Sequence, residues 1–122
     1  MKKLVFERLN LIAQTIYDKK GLNILALDVE GLSSITDCIL IAEANVDRHT
    51  IAVAHAVMGV LKEKGESPAR VEGLQTGDWV VLDYVDIMIH LFSPGLREKY
   101  GLEKLWGESK IVDLQITAER TL

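Results

Sequence analysis

The chain has few of the residues that cross-link small proteins or form well-known reactive motifs. Its 122 residues include two prolines and one cysteine, Cys38, so no disulfide can form within the chain. No glycine run of the phosphate-binding kind is present. The uncharged stretch from Thr50 to Leu61 has 12 residues, well short of the roughly 20 that cross a bilayer. These absences exclude a disulfide scaffold, argue against a membrane partner, and are consistent with a reducing cytoplasmic location.

The charge balance is acidic. Fourteen basic and eighteen acidic residues give a formal net charge of −4. Because binding to a nucleic-acid backbone depends on Lys and Arg neutralising phosphates, DNA is a poor candidate for the main partner and a basic protein is a better one. Lys2 and Lys3 precede an apolar stretch, but Glu7 and Arg8 interrupt it before a signal-peptide core can form. We therefore expect no secretory leader.

Hydrophobic periodicity predicts a mixture of helices and strands. Helical spacing recurs from Val5 to Ile16, and again from Asp47, a candidate N-cap, to Lys64. A short helix is predicted after Pro94. Apolar runs bounded by turn residues predict strands at 23–29, 37–44, 69–72, 79–83 and 86–92. The order predicts an α/β protein, with a mixed β-sheet of about five strands and helices packed on it.

Length and composition are those of one globular domain. We expect residues 1–122 to form that domain, with a core at about 4–106 and a tail at 107–122. The tail is expected to add a last strand or to dock on the surface.

Aromatic residues concentrate in one part of the chain. Five of the seven fall between Asp78 and Trp106, around the last predicted pair of strands. A core needs apolar residues there, but it does not need the three aspartates and the histidine that accompany them. This block therefore predicts the functional surface.

A metal site is one interpretation of Asp78, Asp83, Asp86 and His90, because carboxylates suit Mg²⁺ and imidazole suits transition metals. Strand alternation places Asp86 and His90 on one side of a strand, but about 13 Å apart, too far for one ion. Carboxylates near a turn more often accept local backbone N–H groups. The sequence thus predicts no metal, no cofactor and no catalytic residue, and leaves a Mg-dependent nucleotidyltransferase-like enzyme as an alternative.

The loop from Ser33 to Asp37 gathers hydroxyl groups that could bind a phosphate. It has no Walker lysine and no adjacent histidine, so a turn whose side chains bond their own backbone is the better interpretation. Cys38 follows in an apolar run with no neighbouring base, and we interpret it as a core residue.

Five blocks, in a fixed order and spacing, carry a resemblance to a known family. They are Ser33 to Asp37, Asp47 to His49, Val71 to Gly73, Trp79 to Asp86 with His90, and Leu102 to Trp106. From about Leu4 to Trp106 the chain resembles the ribosomal silencing factor, or Iojap-like, family. The resemblance implies a fold like that of nucleotidyltransferases without their catalytic motif, and hence a protein that is not an enzyme.

The same resemblance implies a function. Members bind the large ribosomal subunit through a protein at its intersubunit face, number fourteen of that subunit's series, and so block joining of the small subunit and repress translation. We expect the contact residues to be Trp79, Asp83, Tyr84, Asp86, His90, Tyr100, Leu102 and Trp106. An incidental rRNA contact by Arg97, Lys99 or Lys104 stays open, and so does a homodimeric structural module as a further alternative.

Two positions depart from the family pattern. The family usually has glycine where this chain has Val85, and because a β-branched residue disfavours positive φ, we expect a different type of turn there. The family commonly has an acid where this chain has Gly95. We expect a looser first turn in the short helix, without the contact that such an acid would make.

Overall fold

The computed structural model describes residues 1–118, which form three α-helices, one 3-10 helix and six strands. In chain order these are α1 (Lys3–Asp18), β1 (Leu22–Asp28), β2 (Cys38–Glu43), α2 (Asp47–Glu63), β3 (Arg70–Glu72), β4 (Trp79–Asp83), β5 (Ile87–Phe92), α3 (Leu96–Tyr100), the 3-10 helix (Leu102–Trp106) and β6 (Lys110–Ile111). No helix within the described residues is both long enough and apolar enough to span a membrane.

All six strands belong to one sheet, in the order β3-β4-β5-β2-β1-β6. β2 and β5 pair in parallel, and the other neighbouring strands are antiparallel. The predicted mixed sheet with helices packed on it is confirmed. The number of strands is six because the tail supplies β6, whose two residues pair with Leu27 and Asp28 of β1. A strand this short has no periodicity that the sequence could show. The last residues of the predicted tail, 119–122, lie outside the described part.

Helices α1 and α2 cover one face of the sheet, which we call the helix face. α1 buries Leu9, Ile12 and Ile16 completely, and α2 does the same with Val57 and Leu61, because each set recurs every three or four residues along its helix. The strand side chains in this cluster are Ala26, Cys38, Leu40, Ala42, Val80, Leu82, Ile87, Ile89 and Leu91. Burying one Leu or Ile side chain contributes about 1.5–3 kcal/mol, so this layer supplies most of the stability of the fold.

The other face of the sheet, called here the second face, is covered in part by residues 96–106, which we call the covering segment. The buried side chains of this face are Leu27, Val29, Ile39, Ile41 and Phe92. Leu96, Leu102 and Trp106 of the covering segment pack against them. Helix α3 has only five residues and would be unstable alone, so tertiary contacts must hold it in place.

Several predicted boundaries, including those of β1, β2 and β3, are wrong by one residue, and two more concern aspartates. Asp47 is the first residue of α2, and Val46 occupies the N-cap without a capping hydrogen bond. The carboxylate of Asp47 instead lies in the first turn, where its charge favours the helix dipole. β5 begins at Ile87, because Asp86 belongs to the turn that precedes it.

That turn holds Val85 in a conformation that β-branched residues avoid. Its φ is +75°, and the N–H of Asp86 donates to the carbonyl oxygen of Tyr84 at 2.9 Å, which closes a strained three-residue γ-turn. The N–H of Val85 also donates to Asp83 Oδ1 at 2.8 Å. The expectation that valine would avoid positive φ here is wrong, because the pairing of β4 with β5 fixes the turn on both sides.

Replacing Val85 with glycine should therefore stabilise the protein. A non-glycine residue at positive φ costs about 1–3 kcal/mol, and part of that gain is offset by the greater entropy of glycine in the unfolded chain. We expect the free energy of unfolding of Val85→Gly to rise by about 1 kcal/mol in urea denaturation. Val85→Ala is the matched control, since alanine keeps a Cβ atom and should gain less. A Val85→Gly protein no more stable than the wild type would contradict the strain.

Candidate functional site

Four ring side chains meet on the second face, and we call them the aromatic face: Trp79, His90, Phe92 and Tyr100. Alternation along β5 directs His90 and Phe92 to this side, and the antiparallel register sets Trp79 opposite Phe92. The Trp79 ring centroid lies 5.0 Å from that of Phe92, 6.0 Å from that of His90 and 4.8 Å from that of Tyr100. Such spacing is typical of attractive ring pairs. Trp79 is thus the centre of the cluster, and Tyr100, which is half exposed, is its outer edge.

His90 is held neutral in this cluster. Burial lowers its pKa from the ordinary 6.5 to about 4. The indole Nε1–H of Trp79 donates to His90 Nδ1 at 3.1 Å, and because an indole nitrogen can only donate, Nδ1 must be the acceptor. The remaining proton is therefore on Nε2. His90 orients Trp79, which makes it a structural part of the aromatic face.

A shallow groove of about 310 Å³ runs beside Trp79. It is lined by Glu72, Asp78, Trp79, Val81, Leu96 and Tyr100. Acidic side chains and aromatic rings therefore border one concave surface, which matches the chemistry of a site for a basic protein.

Asp83 lies at the edge of this face, where its carboxylate serves the fold. Oδ1 accepts the Val85 N–H, as described above, and Oδ2 lies 3.7 Å from Arg70 Nη2. The predicted local role of a turn carboxylate is confirmed for Asp83.

Tyr84 and Asp86, two of the predicted contact residues, lie away from the aromatic face. The side chain of Tyr84 belongs to the helix-face cluster and is only 6% exposed. Asp86 forms a two-pronged ion pair with Arg8 of α1, at 2.7 and 2.9 Å, and Arg8 also pairs with Glu66 at 3.0 Å. The hydrogen bond from Arg8 is the main reason why the pKa of Asp86 is lowered. The expectation that Asp86 shares a side with His90 is wrong, because Asp86 precedes the strand.

The remaining predicted contact residues belong to the covering segment. Tyr100 is half exposed, while Leu102 and Trp106 are partly buried against the second face. Six of the eight predicted residues thus share one face. Their role in binding a partner stays a prediction. Arg97, named in the sequence as a possible rRNA contact, is buried, whereas Lys99 and Lys104 are exposed.

The groups that could have supported catalysis are engaged in the fold. Asp78 accepts a hydrogen bond from Thr76, and the hydroxyl oxygen of Ser33 accepts the N–H of Ile35, as predicted for a local turn. Burial raises the pKa of the Cys38 thiol to about 12, so it is not a ready nucleophile. Residues 1–118 contain no group of three or more Asp, Glu, His or Cys residues placed to hold a metal ion.

Sequence reasoning missed two arginines that organise the site. Arg8 and Asp86 are 78 positions apart, and Arg97 and Glu43 are 54 apart. No local pattern marks such a pair. No feature of the charged sequence of α3 distinguishes Arg97, which is buried, from Lys99, which is exposed.

The lowered pKa of His90 gives the protein a definite pH dependence. The unfolded chain binds a proton near pH 6.5 and the folded chain only near 4, so stability is full above 6.5 and falls as the pH drops toward 4. We expect the wild type to lose about 2 kcal/mol more than His90→Gln between pH 7 and pH 5. Glutamine keeps an acceptor for Trp79 but does not titrate. Urea denaturation at both pH values measures the difference, and parallel losses in the two proteins would refute this assignment.

Comparison with known proteins places this arrangement in a family. The chain is 37% identical over 109 residues to the ribosomal silencing factor RsfS of Halalkalibacterium halodurans, with 89% of this chain and 93% of that protein aligned. A crystal structure of a Chromobacterium violaceum protein superposes with a TM-score of 0.79 at 29% identity, and the match covers 98% of both chains. A mouse protein named mitochondrial assembly of ribosomal large subunit protein 1 is 28% identical over 116 residues, which cover 91% of this chain and 51% of the mouse protein.

A family model described as "Ribosomal silencing factor during starvation" matches residues 4–121. That match spans nearly the whole chain and includes every residue of the aromatic face. The chain therefore belongs to the ribosomal silencing factor family, a family of regulators and not of enzymes.

Proposed function

We propose that this protein represses translation by binding the large ribosomal subunit at its intersubunit face, through the ribosomal protein numbered fourteen, so that the small subunit cannot join. Membership of the silencing factor family supports the ribosome as the target, and the name of the mouse relative refers to the large subunit. The protein acts by occupying a surface, so the mechanism requires no cofactor and places the protein with the ribosomes of the cytoplasm.

The observation that carries this proposal is the pairing of Tyr100 with Trp79. Tyr100 is 51% exposed, yet its ring is held 4.8 Å from that of Trp79. A large side chain that is already ordered loses little conformational entropy when a partner covers it. Aromatic residues of this kind are frequent hot spots of protein interfaces. The aromatic face is therefore suited to bind a protein surface of about 800 Å² per partner, the size usual for specific complexes.

Charge around the groove favours a basic partner. Glu72 and Asp78 line it, Asp83 lies at its strand edge, and the protein as a whole carries a net charge of −4. Complementary charge accelerates encounter and excludes acidic competitors more than it tightens the final complex. These acids form the polar rim of the proposed interface, and the rings form its centre.

The other predicted contact residues support the interface or the fold around it. We place His90, Leu102 and Trp106 in the interface as groups that shape and support it, because each is partly or wholly buried. Tyr84 and Asp86 support the turn and the helix layer instead. Residues 1–122 act as one domain, in which the tail completes the sheet through β6.

Gradient sedimentation with separated ribosomal subunits tests the proposal directly. We expect the protein to sediment with large subunits and not with small subunits alone, and its addition should reduce the yield of joined ribosomes. If it stays at the top of the gradient when large subunits are present, the proposed function is wrong.

A single substitution tests whether the aromatic face makes the contact. Tyr100→Ser removes the exposed ring from a surface position, and we expect binding to large subunits to weaken about tenfold or more. Leu4→Ser is the matched control, since Leu4 is an exposed apolar residue of α1. Equal affinities for the two variants, measured by titration with labelled protein, would remove Tyr100 from the interface.

A homodimer through the same face is a second candidate, because Tyr100 and Leu105 are exposed large side chains of one segment. Light scattering decides between the two. A dimer that Tyr100→Ser dissociates, without any binding to large subunits, would assign the aromatic face to self-association.

A further inference from the structure

Arg97 is the only lysine or arginine that is buried within the described residues, at 9% exposure. Its Nη1 donates to Glu43 Oε2 at 3.0 Å and also to the backbone oxygen of Asn23. Its Nε donates to Glu103 Oε2 at 3.2 Å. One guanidinium therefore connects α3 with β1, β2 and the 3-10 helix.

A buried charge with fewer partners would be costly. The free-energy cost of removing an arginine from water is offset only when carboxylates and carbonyl oxygens accept its hydrogen bonds. Here two carboxylates and one carbonyl oxygen do so. The planar guanidinium serves several acceptors in fixed directions, which an ammonium group does not. The pairing therefore specifies one position of the covering segment relative to the sheet.

Glycines at both ends of α3 make the flanking backbone flexible, so the backbone alone does not fix the position of the covering segment. Gly95 and Gly101 flank α3 with φ values of +90° and +54°, a region that other residues enter only with strain. A cleft of about 780 Å³ adjoins Arg97, and its lining is mostly polar: Asn23, Glu43, Gly95, Arg97, Glu98, Gly101, Glu103 and Lys104. On this side the segment is held by ion pairs. Its apolar contacts lie elsewhere: Leu96, Leu102 and Trp106 pack against the second face, and Tyr100 packs against Trp79.

We propose that Arg97 is a positioning residue for partner recognition. By fixing the covering segment to Glu43 and Asn23, it places Tyr100 against Trp79. Arg97 and Tyr100 lie three positions apart in one helix of five residues, so a shift of Arg97 carries Tyr100 with it. The part of this inference that concerns binding rests on the proposed function; the part that concerns the segment does not.

Hydrogen exchange of the isolated protein tests the structural step. In Arg97→Met we expect amides of residues 96–106 to exchange at least about tenfold faster, with amides of α1 and β5 unchanged. Lys104→Met is the matched control, because Lys104 is an exposed cation of the same segment with no ion pair among residues 1–118. If the amides of residues 96–106 exchange as slowly in Arg97→Met as in the wild type, the proposal is wrong.

A second variant distinguishes a local effect on the covering segment from a general loss of stability. Arg97→Met leaves Glu43 and Glu103 without their cation, so the triple variant Arg97→Met, Glu43→Gln, Glu103→Gln removes those charges as well. We expect global stability near that of the wild type and the same fast local exchange. A triple variant whose segment is as protected as in the wild type would show that apolar packing alone fixes it, against the proposal.

Binding to large subunits tests the functional step by a double-mutant cycle. We expect Arg97→Met to weaken binding about tenfold, and to add less than a factor of about two in the presence of Tyr100→Ser, because it acts through that ring. If the two substitutions weaken binding independently, so that their fold-losses in affinity multiply, the positioning role is wrong. If the wild type does not bind at all, the proposed function fails, whereas the exchange experiments still decide the role of Arg97 in the segment.

Discussion

The alternation of side chains along β5 is the constraint on which the rest of the structure depends. Ile87, Ile89 and Leu91 enter the helix-face core, while His90 and Phe92 stand on the second face. Because the period is two, a slip of one residue against β4 or β2 would bury the wrong set on both faces. The same strand thus secures the main core and presents the aromatic face. In the proposed function, one strand register therefore determines both stability and recognition.

Much of this was predictable from the sequence, since it rests on local pattern. Periodicity identified both long helices and five strands. The same patterns did not identify the partners of Asp86 or Arg97, because ion pairs between distant segments leave no local trace. At Val85 the local preference of the residue gives the wrong prediction. Its own preference is against positive φ, but the paired strands on either side determine the turn.

The second face carries the recognition surface that we propose. Two very short helices lie over part of the sheet, and neither would persist alone. Apolar contacts hold one side of them and the Arg97 ion pairs hold the other. The result is an exposed ring, Tyr100, backed by Trp79 and by a neutral His90. This arrangement orders the proposed contact surface before a partner binds, which favours affinity because less conformational entropy is lost.

Site-specific photo-crosslinking identifies the face of the protein that meets the large subunit. A photoreactive phenylalanine analogue at position 100 lies at the exposed edge of the aromatic face, and the same analogue at position 4 lies on α1. With large subunits present, we expect position 100 to form a crosslink to one basic protein of the intersubunit face, and position 4 to form none. A crosslink from position 4 without one from position 100 would contradict the proposed function of the aromatic face, since the helix layer would then meet the ribosome.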